Sequence, residues 1–435
     1  MTTKAMKVVT YRMHRNQRVR PLSALVRNLP LEPEGEDDYA DQRTQDILQR
    51  ELQHQRAAER FLCRQTDDGT QFVVDTQDRA LKEFMDLLSS AHKALLANDR
   101  SPVRRIGPWR PAPGVAVDQY ALSGLGKSLH TCCVRYLALE ERTPDWLCAY
   151  ADYVFSPEVT VMLRALQRWA KPVGMWLEPG VPACDGFPDM ESVVALSRLA
   201  RFVRRVCRSW PFINACRKIQ RQAQDNFASG RKLLFKLFSR CSRLLVLRVD
   251  LYFRPWAKAL GISQEADDLI EKFYRRLRDG RIVDDYLGAI YKREDGISRG
   301  AHWHWLIMLD GHRRRDAYGL TRRIGEDWMR LAGVNRSSYF NCYVRAHRFK
   351  FNGLGLVHVS DTKKLLGLRA ALVYLTKRDC VLKLHGGKDQ HYRSSKPRDK
   401  DKKPRGAPRA NPDSLATLRR VFAGGRDRPF DTIPV

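Results

Sequence analysis

The chain is poor in acidic residues and holds no run apolar enough to carry it across a membrane. Only 49 aspartates and glutamates stand against 78 lysines and arginines, giving a formal net charge of +29 and a pI near 10.0. A chain this basic repels itself unless it meets a polyanion, so nucleic acid is the first candidate partner and an anionic membrane surface the second. No apolar stretch reaches the roughly 20 residues that span a bilayer. The N-terminal MTTKAMKVVTYRMHR has no signal-type apolar core, so a cytoplasmic protein with no membrane partner is expected. The ten cysteines contain no Cys-x-x-Cys pair, and the adjacent Cys132 and Cys133 suit neither a routine disulfide nor a zinc knuckle. In a reducing compartment they read as buried or idle thiols. A hydrophobic content of 43% with nine tryptophans excludes wholesale disorder. At 435 residues the chain exceeds what one core usually serves, so two or three units are expected.

Residues 1–235 read as a mostly α-helical region, divisible near 100–115 (SPVRRIGPWRPAPG) or 171–190 (KPVGMWLEPGVPACDGFPDM). Within it, ESVVALSRLARFVRRVCRSW sets Leu196, Leu199, Val203, Val206 and Trp210 on one helical face. Arg198, Arg201, Arg204, Arg205 and Arg208 lie mostly elsewhere around it. A solvated face of a bundle helix and a phosphate-binding helix would both have this pattern.

Over 236–384 the texture changes to strands between helices. LLVLRVDLYF reads as a buried strand, and a helix opens at Ser263 with Glu265, Asp267 and Asp268 in its first turns. DDYLGAIYKRE and GAHWHWLIMLD read as two further strands. A helix over about 316–332, a strand at GLGLVHVSD and a helix over 361–380 complete the region. Strand–helix–strand–strand–helix–strand is the order of a ferredoxin-like, split β-α-β antiparallel sheet, so the expected fold class is α+β. Residues 385–435 are low in apolar residues and rich in Lys, Arg and Pro, and read as a disordered basic arm with non-specific phosphate affinity.

In a strand, residues two apart share a face, so His302 and His304 point one way and Trp303 and Trp305 the other. Two imidazoles on one face can hold a divalent ion, while the indoles suit burial under a helix. Seventy residues on, Tyr374 and Lys377 stand three apart in a helical pattern and share a face. Gly367, Ala370 and Ala371 on the preceding turns would let the phenol approach a sheet or a DNA backbone closely. A tyrosine is a weak nucleophile at its ordinary pKa near ~10. A divalent ion on the scissile phosphate, with a nearby lysine, supplies what it lacks.

His-hydrophobic-His on a strand, followed by Tyr-x-x-Lys on a helix, resembles the signature of the HUH endonucleases, single-strand nickases of rolling-circle replication and plasmid mobilisation. KRED, HWHWLIMLDGHRRRDAYGL and AALVYLTKRD look like the replication-initiator-like, single-tyrosine family of inoviruses and prophages. The likeness spans about residues 244–380. It implies Mg²⁺ or Mn²⁺ held by His302 and His304, attack of Tyr374 on single-stranded origin DNA, a 5′-phosphotyrosine link and a released 3′-OH primer. Lys377 would position the phosphate or the tyrosine. Imidazole ligands favour manganese over magnesium. Glu294, which matches the family's Arg-Glu, is the expected third ligand, with Asp379 its rival. His312 lies about 26 Å from His304 along an extended strand and is too far. Arg248, Arg293, Arg299 and Arg378 are the candidate DNA contacts. The host replication helicase and polymerase are the implied partners.

ALSGLGKS fits a relaxed phosphate-binding loop, but Asp118-Gln119-Tyr120 separate it from the apolar GVAV. No apolar strand ending in Asp-Glu lies near it to hold magnesium. Gly124, Gly126 and Lys127 therefore read as an exposed turn before a helix. Two other functions fit the same residues: a non-catalytic prophage DNA-binding regulator that retains the fold, and a relaxase or transposase with the same chemistry.

Overall fold

The computed structural model describes residues 76–97, 99–112, 115–142, 153–174, 190–254, 264–296, 300–349, 351–376, 382–384, 392–396 and 415–426. Among these the chain is α+β with an antiparallel sheet, and it divides into two compact units, Thr76–Asn214 and Ala215–Val435.

In the first unit, helix α1 (Thr76–Ala97) precedes a hairpin of β1 (Val103–Ala112) and β2 (Val115–Leu122). Helix α2 (Gly124–Arg142), the short strand β3 (Tyr153–Phe155), helix α3 (Pro157–Gly174) and helix α4 (Met190–Cys207) follow. The four helices pack on one another through buried Leu88, Leu129, Met162, Leu166, Leu196 and Val203. The Pro/Gly-rich passage read as a separator is instead strand β1, which tolerates Gly107 at φ +143° by bulging there. The supposed turn at ALSGLGKS is also helix. Only Ser123 separates β2 from α2, and its hydroxyl accepts from Gly126 N at 3.2 Å as an N-terminal cap. Gly126 is glycine because a Cβ there would lie 2.0 Å from the Pro102 carbonyl oxygen. A phosphate-cradling loop has no room between that strand and that helix.

Helix α5 (Trp210–Arg240) begins where α4 has ended, with Arg208 and Ser209 as the turn. This break shifts the helical phase, so Trp210 leaves the stripe of Leu196, Leu199 and Val203 and is 72% exposed. The boundary between units falls at Asn214/Ala215, within α5, rather than at 235/236. Phe227, Leu233, Leu234, Leu237 and Phe238 of α5 explain the difference, because they belong to the core of the second unit.

The second unit is built on β4 (Arg243–Phe253), β5 (Tyr286–Gly296) and β6 (Gly300–Asp310), with α6 (Gln264–Arg278) between the first two and α7 (Ala317–Ala332) after the third. Strand β7 (Ser337–Asn341), a 3₁₀ turn (Cys342–Arg348), β8 (Gly355–His358), α8 (Thr362–Leu375), β9 (Leu382–Leu384), β10 (Tyr392–Ser394) and α9 (Ala416–Val421) follow. The sheet order is β10-β5-β6-β4-β7, all antiparallel, and β8 also pairs with β4. β8 takes the Arg243–Val246 half of β4 and β7 the Val249–Phe253 half. The short β7 (SSYFN) carries no apolar alternation, and the sequence reading assigned its place to GLGLVHVSD.

Both faces of the sheet are covered. Leu245, Leu247, Val249 and Leu251 of β4 pack with Trp303, Trp305 and Ile307 of β6 under α6 and α7. Trp305 stacks on Tyr291, ring centroids 4.3 Å apart, and meets Phe273 edge-on at 5.2 Å. Arg276 holds Asp327 with two bonds of 3.0 and 2.6 Å, tying α6 to α7. On the opposite face Leu244, Val246, Leu306 and Met308 pack under α5, α8 and α9. The expectation of a disordered arm over 385–435 fails at β10, which extends the sheet beside β5, and at α9. Leu418, Val421 and Phe422, spaced for one helical face, are buried there. Residues 1–75 lie outside the described residues, and so does Ser263.

Candidate metal and tyrosine site

The β6 pleat places His302 and His304 on the α8 face of the sheet, in line with buried Leu306 and Met308. Antiparallel register then sets Glu294 of β5 opposite His302, and Asp250 of β4 with Lys292 of β5 on either side of His304. One ligand atom each from Glu294, His302 and His304 lie within 4.8 Å of one another. Glu294 Oε2 is 2.9 Å from His304 Nε2 and 3.9 Å from His302 Nε2.

His304 is 1% exposed and donates from Nδ1 to Asp250 Oδ1 at 2.7 Å. Burial alone would lower its pKa, but Asp250 and Glu294 outweigh this and raise it above 6.5. Burial pushes Asp250 up, yet the charges of His304 and Arg248 hold its carboxyl well below the usual range. A carboxylate on the far ring nitrogen fixes the tautomer and turns Nε2 toward an ion, the usual outer partner of a metal-bound histidine. Two imidazoles, one carboxylate and this support fit a divalent metal ion, and the donor set alone accepts several.

Tyr374, in the last turn of α8, reaches this cluster from above the sheet. Its hydroxyl lies 3.4 Å from His304 Nε2, and the two rings meet edge-on at 5.3 Å. Burial pushes the phenol well above its ordinary pKa; the charges of Glu294 and Asp250 add to this, and Arg248 opposes it. The Arg248 guanidinium sits 4.6 Å from the centre of the Tyr374 ring, with Nε 3.8 Å from Asp250 Oδ1. At 3% exposed it faces the phenol rather than solvent. α8 starts at an Asp361 cap and ends at Thr376, so the helical pattern read over 361–380 stops short of Lys377. Lys377, Arg378, Asp379 and Arg299 lie outside the described residues.

Arg293 is not brought to the site. It occupies the opposite pleat, 3.3 Å from Asp267 and 5.7 Å from the Trp303 ring centre. His312 sits in the turn beyond β6, 3.1 Å from the Ser242 hydroxyl. Gly367 serves a different purpose from the one its place beside Tyr374 suggests: a Cβ there would lie 2.1 Å from Gly353 N, so α8 and the segment before β8 cross backbone to backbone. Asp250 and the buried Lys292 were not singled out from sequence. The available signal was a charge on the site-facing parity of an otherwise apolar strand. No protein-family model, curated protein or solved structure matches the chain.

Proposed function

We propose that the chain is a metal-dependent DNA strand-cleaving enzyme with a tyrosine nucleophile. More narrowly, it is a replication-initiation endonuclease of a phage, prophage or plasmid that nicks single-stranded origin DNA. The observation that carries the reading is the 3.4 Å approach of the Tyr374 hydroxyl to His304 within the Glu294–His302–His304 cluster. The strand order β5-β6-β4-β7, with helices after β4 and β6, supports the ferredoxin-like form of the fold.

A bound Mg²⁺ or Mn²⁺ would polarise the scissile phosphate and neutralise charge developing on it. The chain's own residues do the rest. The backbone crossing at Gly353 and Gly367 and the packing of α8 hold Tyr374 over the sheet, so the attacking oxygen is positioned before substrate arrives. Glu294, His302 and His304 would hold the ion, and Asp250 orients His304. Arg248 faces the ring whose oxygen loses its proton on attack, and its fixed positive charge favours the phenolate. The Tyr374 oxygen–phosphorus bond forms as the phosphorus–O3′ bond breaks. The strand is left with a 3′-OH, and its 5′ phosphate is esterified to Tyr374. Lys377 retains the phosphate-positioning role the motif implies.

Incubation with single-stranded origin-region DNA and Mn²⁺, followed by denaturing electrophoresis, tests this. A covalent protein–DNA adduct that disappears in Tyr374→Phe is the expected result. Absence of adduct and cleavage across divalent metals and candidate origins would leave a DNA-binding protein that keeps the fold without the chemistry.

A further inference from the structure

The cluster around Tyr374 leaves the arginine-rich helix of the first unit without a role. α4 carries a single acidic residue, Glu191 in its first turn, and its later turns hold four arginines with Arg208 just beyond. Arg204 is committed to structure: its guanidinium donates to the Leu95 carbonyl at 3.2 Å and the Arg100 carbonyl at 2.7 Å, closing the end of α1. Arg198, Arg201, Arg205 and Arg208 recur at intervals of three, four and three, which puts them in one stripe. Arg201, Arg205 and Arg208 are exposed and Arg198 is half-buried. The stripe runs for about 15 Å at the helical rise. Asp99 meets it at the far end, 2.6 Å from Arg208, with both side chains mostly in solvent, where such a pair contributes little.

Two residues beyond Arg208 stands Trp210, 72% exposed and the most exposed of the large apolar side chains among the described residues. Four residues into the same helix, Asn214 closes the unit, so the indole and the arginines belong to one body. A solvated helix face would account for the arginines by themselves; an indole left mostly in solvent two residues after them is the feature it does not call for. Cations in a row match a phosphate backbone, and an exposed indole offers a face on which an unpaired base can stack. A duplex keeps its bases stacked and would use only the arginines.

We infer that the Arg198–Arg201–Arg205–Arg208 stripe and Trp210 form a second nucleic-acid site, in the first unit, that binds single strands by phosphate contact and base stacking. It belongs to a different unit from the Tyr374 cluster and does not depend on cleavage.

The test uses the full chain in chelator-containing buffer, so that no cleavage occurs, with fluorescein-labelled oligothymidylate and a matching duplex read by anisotropy. Trp210→Ala is expected to weaken oligothymidylate binding roughly 5- to 150-fold, the range for loss of one stacked base. Duplex binding should stay nearly unchanged, and Trp210→Phe should retain most of the affinity. Arg201→Gln with Arg205→Gln should weaken both ligands and flatten the salt dependence on single strands by about 1.4 log units per log unit of salt. All these side chains are exposed, so the variants should melt like the parent. Equal binding of oligothymidylate by Trp210→Ala and parent overturns the inference. Equal loss on both ligands makes this a duplex-backbone site and also overturns it. Binding to phosphatidylglycerol vesicles with no Trp210-dependent oligothymidylate binding would make the stripe a membrane contact instead. Because none of these readouts involves Tyr374 or metal, failure here leaves the nicking test untouched, and the reverse also holds.

Discussion

Replacing Asp250 separates a metal site from a chance meeting of polar side chains in a sheet. The Asp250 carboxylate touches no ligand position itself; it acts through a 2.7 Å bond to His304 Nδ1. Loss of such an outer partner typically costs about 10- to 100-fold in metal affinity, or about 1.4–2.7 kcal/mol. Asp250→Asn keeps the shape and can still accept from Nδ1 but has no charge, so it belongs near the tenfold end. Asp250→Ala removes acceptor and charge together and belongs near the hundredfold end. One effect opposes this. Asp250 also helps raise the pKa of His304, so its removal weakens the proton that competes with the ion at Nε2. The full loss should therefore appear only at alkaline pH, where that competition has ended. Isothermal titration of the full chain with Mn²⁺ measures it, with His302→Ala and Glu294→Gln as reference losses. If both Asp250 variants bind Mn²⁺ within about twofold of the parent while the ligand variants do not, the outer-partner argument is wrong.

Gly367→Ala should destabilise the second unit by about 1–3 kcal/mol in urea melts, because its Cβ would sit 2.1 Å from Gly353 N; an unchanged midpoint would refute the backbone crossing. Truncation after Leu384 should destabilise the same unit, since it removes β10, the Ser395 hydroxyl that accepts from Ala289 N at 2.9 Å, and buried Leu418, Val421 and Phe422. Each of those apolar side chains contributes about 1.5–3 kcal/mol on burial, whereas removal of a disordered arm would leave the melt unchanged. His92, 4% exposed and 3.2 Å from Cys207 Sγ, has its pKa lowered by burial, with Glu158 opposing and Lys93 adding to the shift. The unfolded chain then takes up the proton first, so stability is intact above pH 6.5 and falls as pH drops from there toward the lower folded pKa. The slope is at most about 1.4 kcal/mol per pH unit for one proton. Hydrogen exchange in α1 should show the loss in the parent and a shallower one in His92→Gln.

Much of the second unit could be read from period and caps. α6 and α7 fall where apolar stripes follow Ser263 and Asp316, and the two-residue period of GAHWHWLIMLD separates imidazole from indole. β7 was missed because five residues with polar serine and asparagine ends gain their strand character only from pairing with β4. The hairpin β1–β2 was missed because Pro and Gly punctuate it, and its bulges absorb them. Among the site residues, His302, His304, Glu294 and Tyr374 were legible as types at suitable spacing. Asp250 was not, because its meaning depends on the register of β4 against β6, which sets Asp250 rather than Arg248 opposite His304 and which element order does not fix. The change of helical phase at Arg208 and Ser209 was equally hidden, and it turns Trp210 from a core residue into a surface one.

Strand β6 also acts as a proofreading device. A slip of one residue against β4 and β5 would swing Trp303 and Trp305 toward α8 and drive His302 and His304 into the apolar layer under α6 and α7. The core would lose its largest side chains, and Tyr374 would face an indole. A one-residue slip therefore loses the ligand set and the core together, whereas a slip of two would keep the faces and move the histidines off Glu294 and Asp250. Ion binding at Glu294, His302 and His304 would then require both the right face and the right register, so it would count correctly paired sheets in a population more strictly than burial of the indoles does.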